Sequence, residues 1–229
     1  MAEGDTIYRI ADVLRRALLG ARITDARAQA RPGLRRVPDL ALLVGSVVAS
    51  VEARGKHLLI GFDNGLTLRT HLRMRGAWHR YRVGEHWNRP ASQASAVLET
   101  PTTVAVCFDA PEVELMTDAQ VARHPQLMAL GPDLLSRSFD AEEAARRLTS
   151  DARRPIGEAL LDQRLMAGVG NVYKSEICFI EGVSPWRTVG ELDPAAVAGL
   201  VATAHRLLGA NLGGGARVTT GERRPGREL

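Results

Sequence analysis

Four short stretches of this 229-residue sequence carry side chains with chemistry to offer. Gly168-Val169-Gly170-Asn171 lies between two amphipathic segments. Glycines there let the backbone approach a ligand, N–H groups at the next helix start make an anion site, and Asn171 adds a side-chain donor. A plain helical hairpin needs glycine at its turn as well. Arg153-Arg154 just upstream and Lys174 one turn downstream tip the reading toward DNA phosphates. Lys56 follows Gly55 at a strand start, where a solvated edge lysine is the commoner reading, and the scarcity of lysine in this chain raises the functional one modestly. Met74, flanked by Arg73 and Arg75, reads as an exposed apolar wedge between cations, suited to insertion into a base stack. Glu3 is either a working acid or a first-turn carboxylate that favours the helix dipole.

Lysines and arginines number 30 against 26 acids, a formal charge of +4, and only Lys56 and Lys174 are lysines. Arginine stays protonated at neutral pH, so amine chemistry falls to Lys56, Lys174 or the chain terminus. The mild basic excess permits a nucleic-acid partner without establishing one. Cys107 and Cys178 show no paired spacing and lie in apolar runs, which reads as two buried thiols. Two cysteines cannot build a four-cysteine zinc site, so no metal or cofactor is expected of these residues. A composition of 45% hydrophobic and 24% charged residues excludes a disordered or collagen-like chain. The longest nearly apolar stretch, Leu40 to Val51, is broken by Gly45 and Ser46 and falls short of the roughly 20 residues of a bilayer span. With Glu3 and Asp5, the N-terminus does not read as a secretory signal, and a cytoplasmic protein with no membrane partner is expected.

These residues need a scaffold. Ile7, Ile10, Leu14 and Leu18 recur at helical spacing, with Asp5 or Thr6 as N-cap and Gly20 as stop, which sets the chain terminus at the helix's positive end. After a polar linker, Ala28–Pro38, Val47 to Val51 and His57 to Phe62 read as strands, and Asn64-Gly65 signals a hairpin. Leu66, Leu68, Thr70 and Leu72 then alternate with Thr67, Arg69 and His71, and Gly76–Val83, Ala96–Glu99, Thr103–Asp109 and Glu112–Met116 complete a β-meander or sandwich. Pro125, Gly131-Pro132 and Ser136 mark a boundary. Helices follow over Ala141–Leu148, Ile156–Gln163, Asn171–Ile180 and Asp193-Pro194 to Leu208. The fold class is α+β. The expected division is a β-sandwich domain over 1–124, a linker over 125–139, a helical domain over 140–212 and a flexible Gly/Arg-rich tail over 213–229.

The set as a whole resembles a known family. Met1-Ala2-Glu3-Gly4-Asp5-Thr6, Arg54-Gly55-Lys56-His57-Leu58, Gly131-Pro132-Asp133-Leu134-Leu135, and Leu160-Leu161-Asp162-Gln163 with Gly168-Val169-Gly170-Asn171 resemble, in this order, the formamidopyrimidine-DNA glycosylase/endonuclease VIII family. The Glu-Gly-Asp-Thr opening and the Gly-Lys-His-Leu run resemble its actinobacterial endonuclease VIII branch. The resemblance implies a two-sheet β-sandwich, a helical domain with a helix–two-turns–helix motif, and damaged DNA, duplex or single-stranded, running through the cleft between them.

It also implies a bifunctional reaction of base-excision repair on oxidised bases, carried out by a monomer at the nucleoid. The N-terminal amine attacks C1′, displaces the base and forms a Schiff base, after which elimination cuts the strand. An α-amine, with a pKa of about 7.7–8.0 against about 10.4 for lysine, is far more often neutral at pH 7. By resemblance Ala2 supplies that amine once Met1 is removed, Glu3 moves protons on the sugar, and Lys56 contacts phosphate and assists. Asn171 with the Gly170 backbone holds a phosphate, and Arg73, Met74 and Arg75 fill the gap left by the flipped base. The sequence departs from the family pattern in having Ala2 where proline is usual, and in ending at Leu229, where the family continues into a four-cysteine zinc hairpin. A catalytically impaired damaged-DNA binder on the same fold and a non-enzymatic RNA-binding module are the alternative readings.

Overall fold

The computed structural model describes residues 2–30, 37–213, 215 and 217–219. The chain divides into two compact units, Met1–Ala129 and Leu130–Leu229.

The first unit opens with α1 (Gly4–Leu18), whose Ile7, Ala11, Leu14 and Leu18 are buried at intervals of three and four. Its N-cap is Glu3, with extended backbone, rather than Asp5 or Thr6; Asp5 lies inside the first turn and is buried. Leu19 ends the helix, and Gly20 turns the chain at φ +75°. β1 (Asp25–Ala28) was not anticipated, because four residues of Asp-Ala-Arg-Ala carry no apolar alternation; its partner strand creates it. β2 (Val48–Arg54), β3 (His57–Phe62), β4 (Leu66–His71), β5 (Ala77–Arg82), β6 (Ala94–Glu99), β7 (Thr103–Phe108) and β8 (Glu112–Thr117) fall where the patterning puts them.

The strands form two antiparallel four-stranded sheets, ordered β1-β6-β7-β5 and β2-β3-β4-β8. Ala96, Leu98, Ala105 and Cys107 of the first sheet, Val51, Leu58, Ile60 and Leu68 of the second, and the buried stripe of α1 share one core. Phe108, Val104 and Tyr81 form a smaller cluster with the partly buried Trp87, so β7 is buried on both faces and its sequence is apolar from Val104 onward.

Alternation in β4 is misleading about exposure. Its polar side is buried too, with Arg69 at 0% and Thr67 at 8%. The cover comes from the segment after β8, where α2 (Asp118–Ala122) and α3 (Pro125–Met128) bring His124 and Gln126 to the Arg69–Glu114 pair. The stretch 125–139 is thus no loose linker. Pro125 opens α3, and Leu134 is fully buried in the core of the second unit.

In the second unit, Asp140 caps α4 (Ala141–Leu148) by accepting from the Glu143 amide. α5 (Ile156–Leu161) ends two residues earlier than the pattern suggests, since Asp162 and Gln163 leave it to make the contacts described below. α6 (Asn171–Ile180) starts where expected, and α7 (Pro194–Ala210) runs through Gly209 instead of stopping before it. Ile156, Leu160, Tyr173, Ile177, Leu200 and Leu208 anchor the core. Of the expected flexible tail, residues 214, 216 and 220–229 lie outside the described residues. Val218 is not loose: it exchanges hydrogen bonds of 2.7 and 2.8 Å with the Asn211 side chain, and Arg217 lies 5.0 Å from the Tyr173 ring centre. No helix of the described residues is long and apolar enough to cross a membrane.

Candidate functional site

In the first unit, the candidates gather at the start of α1 and at the β2–β3 and β4–β5 turns. Gly55 and Lys56 are the two loop residues of a tight hairpin closed by the Arg54–His57 pair. Gly55 at φ +56° supplies the left-handed first position that this turn requires. Lys56 is therefore held at a hairpin tip rather than at the start of a strand. Burial pushes its ammonium below the ordinary lysine value; Glu3 opposes that shift and Arg73 adds to it. The charges of Glu3 and Arg73 thus both act on Lys56, in opposite directions. Glu3 is fully buried at the N-cap of α1, and Ala2 before it packs against the first core.

Arg73 and Met74 occupy the β4–β5 turn. Met74 is 64% exposed and Arg75 is exposed as well, as a wedge between cations demands. Arg73 is different. Its Nε and Nη2 lie 2.7 and 2.6 Å from Glu112 Oε1, a two-point ion pair that already occupies the guanidinium.

Behind this turn lies a polar network that the sequence did not signal. Buried Arg69 donates to His57 Nδ1 (2.9 Å), Glu112 Oε2 (3.0 Å) and Glu114 Oε2 (2.8 Å), and also to Gln126. Its neighbour His71 meets His57 edge-on across the β3–β4 pair, with ring centres 4.8 Å apart, and accepts the Arg73 amide at Nδ1. Arginine only donates, so His57 Nδ1 must be an unprotonated acceptor. Burial and the nearby Arg69 hold the His57 pKa down to about 2. Burial likewise holds His71 at about 4, against the pull of Glu112. Burial alone would raise the Glu112 carboxyl, but hydrogen bonds from Arg73 and Arg69 leave it below the usual range.

In the second unit, Gly168 (φ +117°) turns the chain and Gly170, itself buried, is the N-cap of α6. Asn171 is exposed at the first helical position, and Lys174, partly buried, follows one turn later. The residue that shapes this turn is Gln163. Its Nε2 donates to the Leu161 and Val169 carbonyls at 2.8 and 2.9 Å, while its Oε1 accepts the Gly168 amide at 2.9 Å. Its place in the Leu-Leu-Asp-Gln run, five residues before the glycines, was the available signal. Arg153 is exposed, but Arg154 pairs with Asp162 at 2.8 Å, as does Arg164 at 2.6 Å. Arg164 first and Arg154 second hold the Asp162 carboxyl well below the usual carboxylate range. Arg154 is thus a structural cation of the turn as much as a candidate DNA contact.

Among the described residues, no cluster of three His, Cys, Asp or Glu side chains could hold a metal ion. Cys107 and Cys178 are free thiols buried separately in the two units, and burial pushes the Cys107 thiol up. These two residues do not fit the four-thiolate zinc site that the resemblance implies.

Comparison with known proteins places the chain in a family. The formamidopyrimidine-DNA glycosylase N-terminal domain matches residues 1–121, and the formamidopyrimidine-DNA glycosylase H2TH domain matches residues 130–221. A probable endonuclease 8 2 of Streptomyces coelicolor is 43% identical over 226 residues, covering 97% of this chain and 79% of the relative. A DNA-(apurinic or apyrimidinic site) lyase Nei2 of Mycolicibacterium smegmatis is 40% identical over 235 residues, covering 100% of this chain and 85% of that one. In fold, the chain is similar to Lactococcus lactis formamidopyrimidine DNA glycosylase crystallised with DNA containing an abasic site. That match has a TM-score of 0.79 at 19% identity, over 92% of this chain and 82% of the other. With both domain signatures in order and close relatives matched over nearly its whole length, the chain belongs to the formamidopyrimidine-DNA glycosylase/endonuclease 8 family.

Proposed function

We propose that the protein is a base-excision repair enzyme, a DNA glycosylase with abasic-site lyase activity that removes oxidised bases through its N-terminal amine. The observation that carries this reading is Glu3, fully buried at the N-cap of α1 directly after Ala2 and acting on the charge of Lys56 at the β2–β3 hairpin tip. Once Met1 is removed, the Ala2 amine sits against the helix dipole, which disfavours its protonation and leaves the lone pair available. That lone pair attacks C1′ as the C–N bond to the base breaks and its electron pair leaves with the base. Glu3, fully buried directly after Ala2, protonates the ring oxygen as the sugar opens to the imine. Loss of a C2′ proton then expels the 3′ phosphate. A lysine with depressed basicity beside the site suits both a phosphate contact and a proton relay.

The second unit supplies the grip. Asn171 and the Gly170 backbone, which follow the Gly168-Val169 turn held by Gln163, bind a phosphate, with Lys174 and Arg153 adding charge. Met74 enters the base stack with Arg75 on the flanking backbone. The protein acts as a monomer on damaged DNA in the cytoplasm. Borohydride trapping on abasic-site DNA, followed by mass spectrometry of the linked peptide, tests the reading. A cross-link at Ala2 is expected. A link only at Lys56 or Lys174, or no link at all, sinks it.

A further inference from the structure

We propose that Glu112 is a positioning residue, which fixes the turn that presents Met74 by bridging a buried arginine to an exposed one. The inference rests on the DNA reading above and concerns how the wedge is held. Each Glu112 oxygen serves one arginine. Oε2 takes Nη2 of Arg69, fully buried in β4, at 3.0 Å, and Oε1 takes the Arg73 guanidinium at 2.6 and 2.7 Å. Arg73 is one of only two non-glycine residues at positive φ among the described residues, at +49°. Such a conformation persists only where the surroundings impose it. Here the imposing contacts are the ion pair and the Arg73 amide donated to His71 Nδ1 at 3.3 Å.

The base of the turn is closed as tightly. The Gly76 amide donates to the Leu72 carbonyl at 2.9 Å, and a Cβ on Gly76 would lie 2.6 Å from that oxygen. Leu72 itself is 1% exposed. Arg73, Met74 and Arg75 are all exposed, and of the three Arg73 is tied back to the frame by its ion pair with Glu112. A wedge that must displace a stacked base gains from being ordered before it meets DNA, because the ordering cost is then not charged to the insertion step. Glu112 supplies that order through Arg73, and Arg73 is thereby committed to the protein instead of to a phosphate.

The test uses the full chain with Glu112→Gln, Arg73→Gly and the double variant. The probe is a duplex carrying thymine glycol with 2-aminopurine beside it. Fluorescence reports unstacking, single-turnover cleavage reports excision, and borohydride trapping on a pre-formed abasic site reports the chemistry once the base is gone. Each single variant should slow unstacking and excision about tenfold, and the double no further, because both act through one contact. Trapping should change less than about twofold, since an abasic site has no base to displace. Glycine adopts φ +49° without strain, so Arg73→Gly tests the idea even if Glu112→Gln folds poorly. Unchanged unstacking in Arg73→Gly, multiplicative losses in the double variant, or trapping that falls in parallel overturns the proposal. Wild-type protein that binds the duplex without unstacking it does so too. Unstacking needs only binding, so wild-type protein that unstacks but never traps defeats the catalytic reading alone.

Discussion

Acidification from about pH 7 to about pH 5 should destabilise the first unit through its buried histidines. His57 and His71 are held neutral, near pKa values of about 2 and about 4, while an unfolded histidine titrates near about 6.5. Both folded values are depressed, so the unfolded chain binds more protons as pH falls through about 6.5, and stability is lost in that direction. Near pH 5 the unfolded state carries about two extra protons, a slope of roughly 2.7 kcal/mol per pH unit, and from about pH 7 to about pH 5 the loss integrates to about 3–4 kcal/mol. His79, depressed by burial and then by Arg89, acts in the same direction. The cause is structural: protonating His57 Nδ1 would set an N–H against the Arg69 guanidinium 2.9 Å away. Urea melts followed by the fluorescence of Trp78, which is 8% exposed in the same unit, measure the slope. His57→Gln and His71→Gln should each remove about one proton from it. A stability that stays flat over this window, or a His57→Gln slope equal to wild type, would refute the reasoning.

Glu3→Gln should lower single-turnover excision by about 10²–10⁴-fold while DNA affinity changes less than about twofold, because it removes a proton carrier and keeps the side-chain volume. Parallel rate and binding assays check it, and unchanged excision returns Glu3 to the role of a helix-dipole acid. Asn171→Ala should weaken lesion and undamaged duplexes alike, by about 1 kcal/mol or five- to tenfold, as a phosphate contact positions without reading bases; a lesion-selective loss in fluorescence-anisotropy titrations would contradict it. Gly131→Ala puts a Cβ 2.6 Å from the Arg164 and Leu165 carbonyl oxygens and should destabilise the second unit by about 1–3 kcal/mol in chemical denaturation; an unchanged midpoint would show that the backbone yields there.

Local pattern alone determined much of this protein. The stripe of Ile7, Leu14 and Leu18 fixes which face of α1 is buried, Asp140 and Asp193 cap their helices, and the glycine turn before Asn171 marks the start of α6. These features act over a few residues, so the chemistry of neighbours in the chain suffices to specify them. The functional candidates were legible for the same reason, since Ala2-Glu3, Gly55-Lys56 and Gly170-Asn171 are each contiguous. What tertiary structure decided depends on partners far along the chain. Whether Arg69 faces water was settled by Glu114 and Gln126, 45 and 57 residues away, which cover a strand face that alternation alone would leave exposed. Arg73 pairs with Glu112, 39 residues on, and Arg154 with Asp162, and neither partner is visible in the arginine's own stretch of sequence. An arginine's sequence neighbours show only that it is charged. Whether that charge is offered to DNA or spent inside the fold depends on which carboxylate the chain brings back beside it, because burying a cation without a partner costs far more than any local pattern can offset.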